Sequence, residues 1–141
     1  MKEIRYRGVL YAIQDGEESL TQLDMGRLEE GSTWYGDNDQ GLQASRMVYG
    51  RKTFDNHRHK TNPRVIEYTQ EALICIKGRI EVKVYDNKKR YLDTVVLKGG
   101  DIGIFYDGYH ELSVKVDNTI AYEIKSGQFT SIQKDKEYYD K

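Results

Sequence analysis

The chain has few residues that cross-link or break a backbone. Its single cysteine, Cys75, excludes an internal disulfide and any zinc site built from several thiolates, and fits a reducing compartment. Its single proline, Pro63, leaves no proline-rich linker. No stretch of 18 apolar residues is present, so no membrane-spanning helix is expected. The opening "MKEIRYRGVLYAIQDGEE" lacks the apolar core and small-residue cleavage site of a secretory signal. An excess of one charge is missing too: 22 Lys and Arg stand against 23 Asp and Glu, which removes the global field that nucleic acid or an anionic membrane would need. These absences predict a soluble cytoplasmic protein with no nucleic-acid or membrane partner, and leave a small neutral or anionic ligand open. With 141 residues and no repeat or linker, residues 1–141 read as one domain with one core.

What is abundant is tyrosine, twelve against three phenylalanines and one tryptophan, which suits sheet faces that end in water or in a pocket. The N-terminal third is less regular. "EIRYRGVLYAIQ" reads as a strand, and "ESLTQLDMGRLEEG" as at best a short helix ending near Gly31. From about residue 42 onward, short runs rich in β-branched and aromatic residues alternate with the turn signals "DNKK", "KGGD", "YDG" and "VDNT". Ile80, Val82 and Val84, and later Leu112, Val114 and Val116, alternate with mostly polar neighbours, predicting strands with one dry and one wet face. The fold class is all-β, a sandwich or small barrel, because no helix–strand alternation supports a parallel sheet.

Within this rhythm all three histidines draw attention. In "HRHK", His57 and His59 would project from the same side of a strand, with Arg58 facing away. The run "EALICIK" places Glu71, Leu73 and Cys75 on one side of a strand expected to be covered on both faces. His110 begins a strand on the face shared by Leu112 and Val114, which predicts an inward imidazole. Such a ring needs partners, since burying an unpaired polar group costs on the order of 1 to 3 kcal/mol. Three imidazoles and a carboxylate suit iron, manganese, nickel or zinc.

These segments, "HRH", "EALICIKG" with Glu71 seven positions before Gly78, and "GGDIGIFYDGYHEL", resemble the two motifs of the cupin superfamily over about residues 43–126. The resemblance implies a cupin-type jelly roll, or double-stranded β-helix, with a less regular N-terminal segment. It implies His57, His59, Glu71 and His110 as ligands of a divalent metal, with the three histidines in the catalytic set. Eleven residues separate His59 from Glu71, so Glu67 competes for the carboxylate position. The tail "AYEIKSGQFTSIQKDKEYY" is similar to small single-domain cupins associated with sugar or surface-polysaccharide metabolism.

Three functions follow as expectations. One is a metal enzyme, of isomerase, lyase or oxygenase type, acting on a small polar sugar- or carboxylate-like ligand. Another is a metal-independent sugar-nucleotide isomerase or epimerase with a histidine base. The last is a non-catalytic metabolite binder. A homodimer is expected, since such sheets pair edges or faces. Beside these stand plainer readings: the histidines as hydrogen-bonded core residues, Cys75 as a small buried hydrophobe, Arg58, Lys60 and Arg64 as solvated charges. Tyr106, Tyr109 and Tyr122 are not separable as acid or stacking groups by position alone. Gly99, Gly100 and Gly103 serve turns and close packing.

Overall fold

Each turn signal of the second half falls between two strands. In the computed structural model, residues 1–16, 30–37, 41–63, 65–127 and 131–138 are described. The strands are β1 (Lys2–Tyr6), β2 (Val9–Asp15), β3 (Gly31–Trp34), β4 (Ser45–Val48), β5 (Glu71–Lys77), β6 (Arg79–Tyr85), β7 (Tyr91–Lys98), β8 (Ile102–Phe105), β9 (Tyr109–Val114) and β10 (Ile120–Lys125). One helical turn, α1 (Ile132–Asp135), follows, capped by the Ser131 hydroxyl accepting from the Lys134 amide. The expected first strand is a hairpin, β1 and β2, turned by Arg7 and Gly8, both at positive φ. The short helix expected near residues 18–31 lies almost wholly outside the described residues.

Among the described residues the strands form antiparallel sheets: five strands in the order β1-β2-β8-β5-β10, three in the order β7-β6-β9, and the β3-β4 pair. The five- and three-stranded sheets pack face to face. Leu73 and Cys75 of β5 and Phe105 of β8 meet Ile80, Val82 and Val84 of β6 and Val95 and Leu97 of β7 in the main core. The alternation read from Ile80, Val82 and Val84 therefore buries as expected. Gly103 has no side chain because a Cβ there would lie 3.2 Å from Leu97 of the opposing sheet. A register shift between Ile4 and Arg5 leaves Tyr11 of β2 without a pairing partner. Both Tyr11 and Ala12 then reach the main core. The architecture is all-β and sandwich-like, and the described strands form no closed barrel.

The outer face of the five-stranded sheet carries a second core, in which Leu10, Ile13, Ala72, Ile104 and Tyr106 pack with Tyr35, Leu42 and Ala44. A buried polar knot fastens this layer. Asp15 accepts from the Tyr35 hydroxyl, from Arg46 Nε at 2.9 Å and from Arg46 Nη2 at 3.2 Å. Burial pushes the Asp15 carboxyl up, but the Tyr35 and Arg46 hydrogen bonds outweigh it and leave a net lowering. A carboxyl held below its ordinary 3.8 contributes stability above that pH and loses it as pH falls through its folded value. Arg46→Ala leaves Asp15 with the Tyr35 hydroxyl and the N-terminal ammonium 3.6 Å away, and is expected to cost about 1.5 kcal/mol in urea unfolding.

Two expectations meet a different structure. Leu112, Val114 and Val116 do not form a dry face: they are 43%, 59% and 49% exposed. The first two do share the inward face, since Val114 pairs with Ile80 and Leu112 with Val82. Among the described residues, however, the three-stranded sheet ends at β9, and no further strand covers them. Nor do His57 and His59 lie on a strand. No strand occurs among the described residues between Val48 and Glu71, and every described residue from 50 to 69 is exposed.

Candidate functional site

The register of three strands builds a cleft at the open side of the sandwich. Val84 of β6 pairs with His110, placing that imidazole on the face shared by Ile80 and Val82. On the opposing sheet, Glu71 pairs with Phe105 of β8 on one side and Lys125 of β10 on the other. Period-two alternation along β10 then brings Glu123 and Lys125 to the same face as Glu71 and Leu73. Across the cleft the His110 ring stacks on Phe105, with centroids 5.1 Å apart and planes inclined by 23°.

His110 Nε2 lies 3.9 Å from Glu71 Oε1, with side chains 32% and 13% exposed. That separation exceeds a hydrogen bond, yet leaves both atoms in reach of one substrate centre lying to the side of the gap, about 3 Å from each. Burial, then the charge of Glu123 and a hydrogen bond to it, push the Glu71 carboxyl up from 4.5 to about 7, against the opposing pull of Lys125 and Lys136. His110 is displaced downward, first by burial and then by Lys136 and Lys125, with Glu123 opposing. Near neutral pH the cleft thus holds an unprotonated imidazole facing a carboxyl that keeps its proton over much of the time. Environments that separate two such groups define an acid and a base.

The C-terminal segment completes the rim. The Tyr109 hydroxyl donates to Glu137 Oε1 at 3.3 Å, holding the residues after α1 beside the start of β9. Lys125 Nζ is 3.9 Å from Glu123 Oε1.

The expected ligand set divides in two. Glu71, not Glu67, stands beside His110; Glu67 is exposed in the 50–69 segment. His57 and His59 do sit side by side, with ring centroids 5.5 Å apart at 72°, and His57 Nδ1 is 2.9 Å from the Asp55 carbonyl oxygen. They lie in the exposed segment. Among the described residues no group of three or more His, Cys, Asp or Glu side chains could hold a metal ion. As placed, the four residues do not fit one metal, and no chemical step here is routed through one.

Cys75 is fully buried, and burial followed by the Asp101 charge raises its thiol above the ordinary value. Tyr106 belongs to the outer core rather than the cleft; its buried hydroxyl lacks a hydrogen-bond partner among the described residues, and burial pushes it to about 12. Tyr122 is exposed on the outer face. Arg58 and Lys60 are exposed, and Arg64 lies outside the described residues. Glu123, Lys125 and Lys136 escaped the sequence reading. The first two carried a signal, the alternation in "AYEIK", which acquires meaning only once β10 is registered against β5.

Comparison with known protein families, with curated proteins and with solved structures returns no match. The class of the molecule is therefore defined by its own geometry: an antiparallel β-sandwich with a histidine and a largely buried glutamate approaching each other between its two sheets. No helix among the described residues is long and apolar enough to cross a membrane.

Proposed function

We propose that this is a jelly-roll-type protein that performs metal-independent acid–base chemistry on a small polar, sugar- or carboxylate-like ligand in the cleft between β5, β9 and β10. The observation that carries the proposal is the 3.9 Å approach of His110 Nε2 to Glu71 Oε1. Their opposite displacements from ordinary titration support it.

The chemistry that suits this pair is isomerisation between a carbonyl and a neighbouring hydroxyl-bearing carbon. His110 removes the proton on the carbon adjacent to the carbonyl, and the electron pair of that C–H bond becomes the C=C bond of an enediol. The carbonyl oxygen takes the Glu71 proton. Return of the His110 proton, on the same face, to the carbon that bore the carbonyl, while the hydroxyl on the carbon first deprotonated gives its proton back to Glu71 and becomes the new carbonyl, gives the isomer and restores both groups. Lys125 and Lys136 lend the cleft positive charge suited to a carboxylate or phosphate on the ligand. A cytoplasmic homodimer, and the place in sugar or surface-polysaccharide metabolism that the cupin resemblance implies, belong to the same proposal.

The test is exchange of solvent deuterium into a panel of keto-sugar nucleotides and 2-oxo acids, with chelator present. Exchange is expected, and His110→Gln and Glu71→Gln are each expected to slow it by about 10²- to 10⁴-fold. Stoichiometric metal that is lost on His57→Ala, with exchange abolished by chelator, would instead favour a metal centre drawing on His57 and His59. Binding without exchange across the panel would reduce the protein to a binder.

A further inference from the structure

A cavity of about 210 Å³ opens at the end of the sandwich where the β1–β2 hairpin meets the turn between β6 and β7. It shares no residue with the His110–Glu71 cleft. Its walls come from both sheets, because β1 and β2 belong to the five-stranded one and β6 and β7 to the three-stranded one. Val9 and the rings of Tyr6 and Tyr11 supply an apolar side. Arg7, Lys88 and Arg90 supply three cations, against which stands a single carboxylate, Asp86.

That carboxylate is already engaged. Asp86 is buried; its Oδ1 accepts the amides of Lys88 and Arg90, each at 2.9 Å, and its Oδ2 lies 3.8 Å from Arg90 Nε. It shapes the turn and offsets one cation of the three. Asp107, which is not part of the walls, accepts from the Asn87 side-chain amide at 3.0 Å and from the Gly108 amide at 2.7 Å. Neither Arg7 nor Lys88 forms an ion pair with another described residue.

Two of the cations are held in place. The guanidinium groups of Arg7 and Arg90 lie 5.3 and 5.0 Å from the centre of the Tyr6 ring, and Arg90 also donates to the Tyr6 hydroxyl. A guanidinium resting on a ring keeps N–H donors along its edge for an oxyanion. The backbone adds an independent sign. Tyr6 pairs with Val9, so Arg7 and Gly8 form a two-residue hairpin loop, with φ of +50° and +81°. Asn or Asp is favoured at the first position of such a loop, and arginine is strained there. An arginine standing where the turn alone favours asparagine points to a use for its side chain, which lines the cavity.

We propose that this cavity binds the phosphate of a small phosphomonoester, with the organic stem against Val9 and Tyr11. Three cations and one carboxylate leave a surplus of two positive charges. A phosphate monoester, at about −1.5 to −2 near neutral pH, matches that surplus better than a carboxylate does. The guanidinium forks suit its paired oxygens, and Lys88 adds a point charge. Size restricts the stem. The volume falls below the roughly 300 to 1,000 Å³ of pockets for drug-sized ligands, so a short polyol fits and a whole nucleotide does not.

This inference does not rest on the acid–base reading, and its test reads binding and stability rather than turnover. Glycerol phosphate, titrated into the isotope-labelled full chain at constant ionic strength, is expected to shift the amide resonances of residues 7–9 and 86–90 saturably. Glycerol alone should shift neither turn, and inorganic phosphate should shift both with weaker affinity, because it lacks the stem. Arg7→Asn is expected to weaken binding about tenfold while raising the melting temperature by roughly 2 to 5 °C, since asparagine suits the loop. Loss of binding in a more stable protein is not misfolding. Lys88→Ala is the second variant: it keeps the backbone amide that Asp86 accepts, so the turn should stand while affinity falls about threefold or more. Absence of saturable shifts at the two turns overturns the inference, as do equal shifts with sodium chloride alone or unchanged affinity in either variant. Shifts confined to the surroundings of His110, Lys125 and Lys136 would place the phosphate in the other cleft, overturning this site and leaving the acid–base reading intact.

Discussion

Gly108→Ala is expected to lower stability by about 3 kcal/mol and to loosen the strand that carries His110. Two costs combine at this position. The backbone has φ of +76°, where a Cβ is strained by the following carbonyl, at roughly 1 to 2 kcal/mol. A Cβ would also be driven into the Tyr85 carbonyl oxygen and would stand 2.8 Å from the Tyr11 ring. The first contact is to backbone, which cannot swing aside, and Tyr85 pairs with Tyr109 at the start of β9. Relief therefore has to come from moving the β8–β9 turn, two residues from the His110 imidazole. Gly100→Ala supplies the control. Its φ is +93°, but nothing lies within 4 Å of a Cβ there, so only the conformational cost of about 1 kcal/mol applies. Urea unfolding of both variants separates the terms. Equal losses would mean that the turn yields freely and that Gly108 does not hold β9 in place.

That turn illustrates what the sequence made legible. Asn, Asp and Gly at 86–89, 98–101, 106–108 and 116–119 mark the connections from β6 through to β10, because the backbone angles needed there are a local property of those residues. The inward faces of β5 and β6 were legible for a similar reason, since alternation assigns side chains to faces without knowledge of the partner. Glu71 and His110 were found because each begins such a face. Alternation, however, says which residues share a face and not whether anything covers it. Leu112 and Val114 were assigned to the correct side and to the wrong degree of burial, because coverage depends on how many strands the sheet has beyond β9. The same limit applies to His57 and His59. Their rings meet through local spacing, but their distance from His110 is set by where the 50–69 segment lies on the fold, which no local pattern specifies. Glu123 and Lys125 were hidden among the charges of a polar tail until β10 was registered against β5.

Glu71→Gln is expected to make the protein more stable above pH 7 while removing the proposed acid–base activity. The sign follows from the direction of the shift. A carboxyl raised from 4.5 to about 7 binds its proton more tightly in the folded state than in the unfolded one. Between those values the native state holds more protons, so stability falls as pH rises through the window, and the loss is complete above about pH 7. The group is largely buried yet opens onto the cleft, so with allowance for screening the loss at pH 8 is about 2 kcal/mol. Glutamine keeps the shape and cannot ionise, so the variant should match the parent near pH 4 and exceed it by that amount at pH 8. His110 acts in the opposite sense, because a histidine shifted downward costs stability as pH falls below its ordinary 6.5. The comparison is therefore best made in a His110→Gln background, where a slope between pH 4.5 and 7 reports the carboxyl. Loss of that slope together with a gain at high pH identifies Glu71 as a group held at an energetic disadvantage, as expected of a residue kept for chemistry rather than for packing. Reduced stability at every pH would instead assign Glu71 to the hydrogen-bonded framework joining β5 to β10, and the acid of the proposed pair would have to be sought elsewhere.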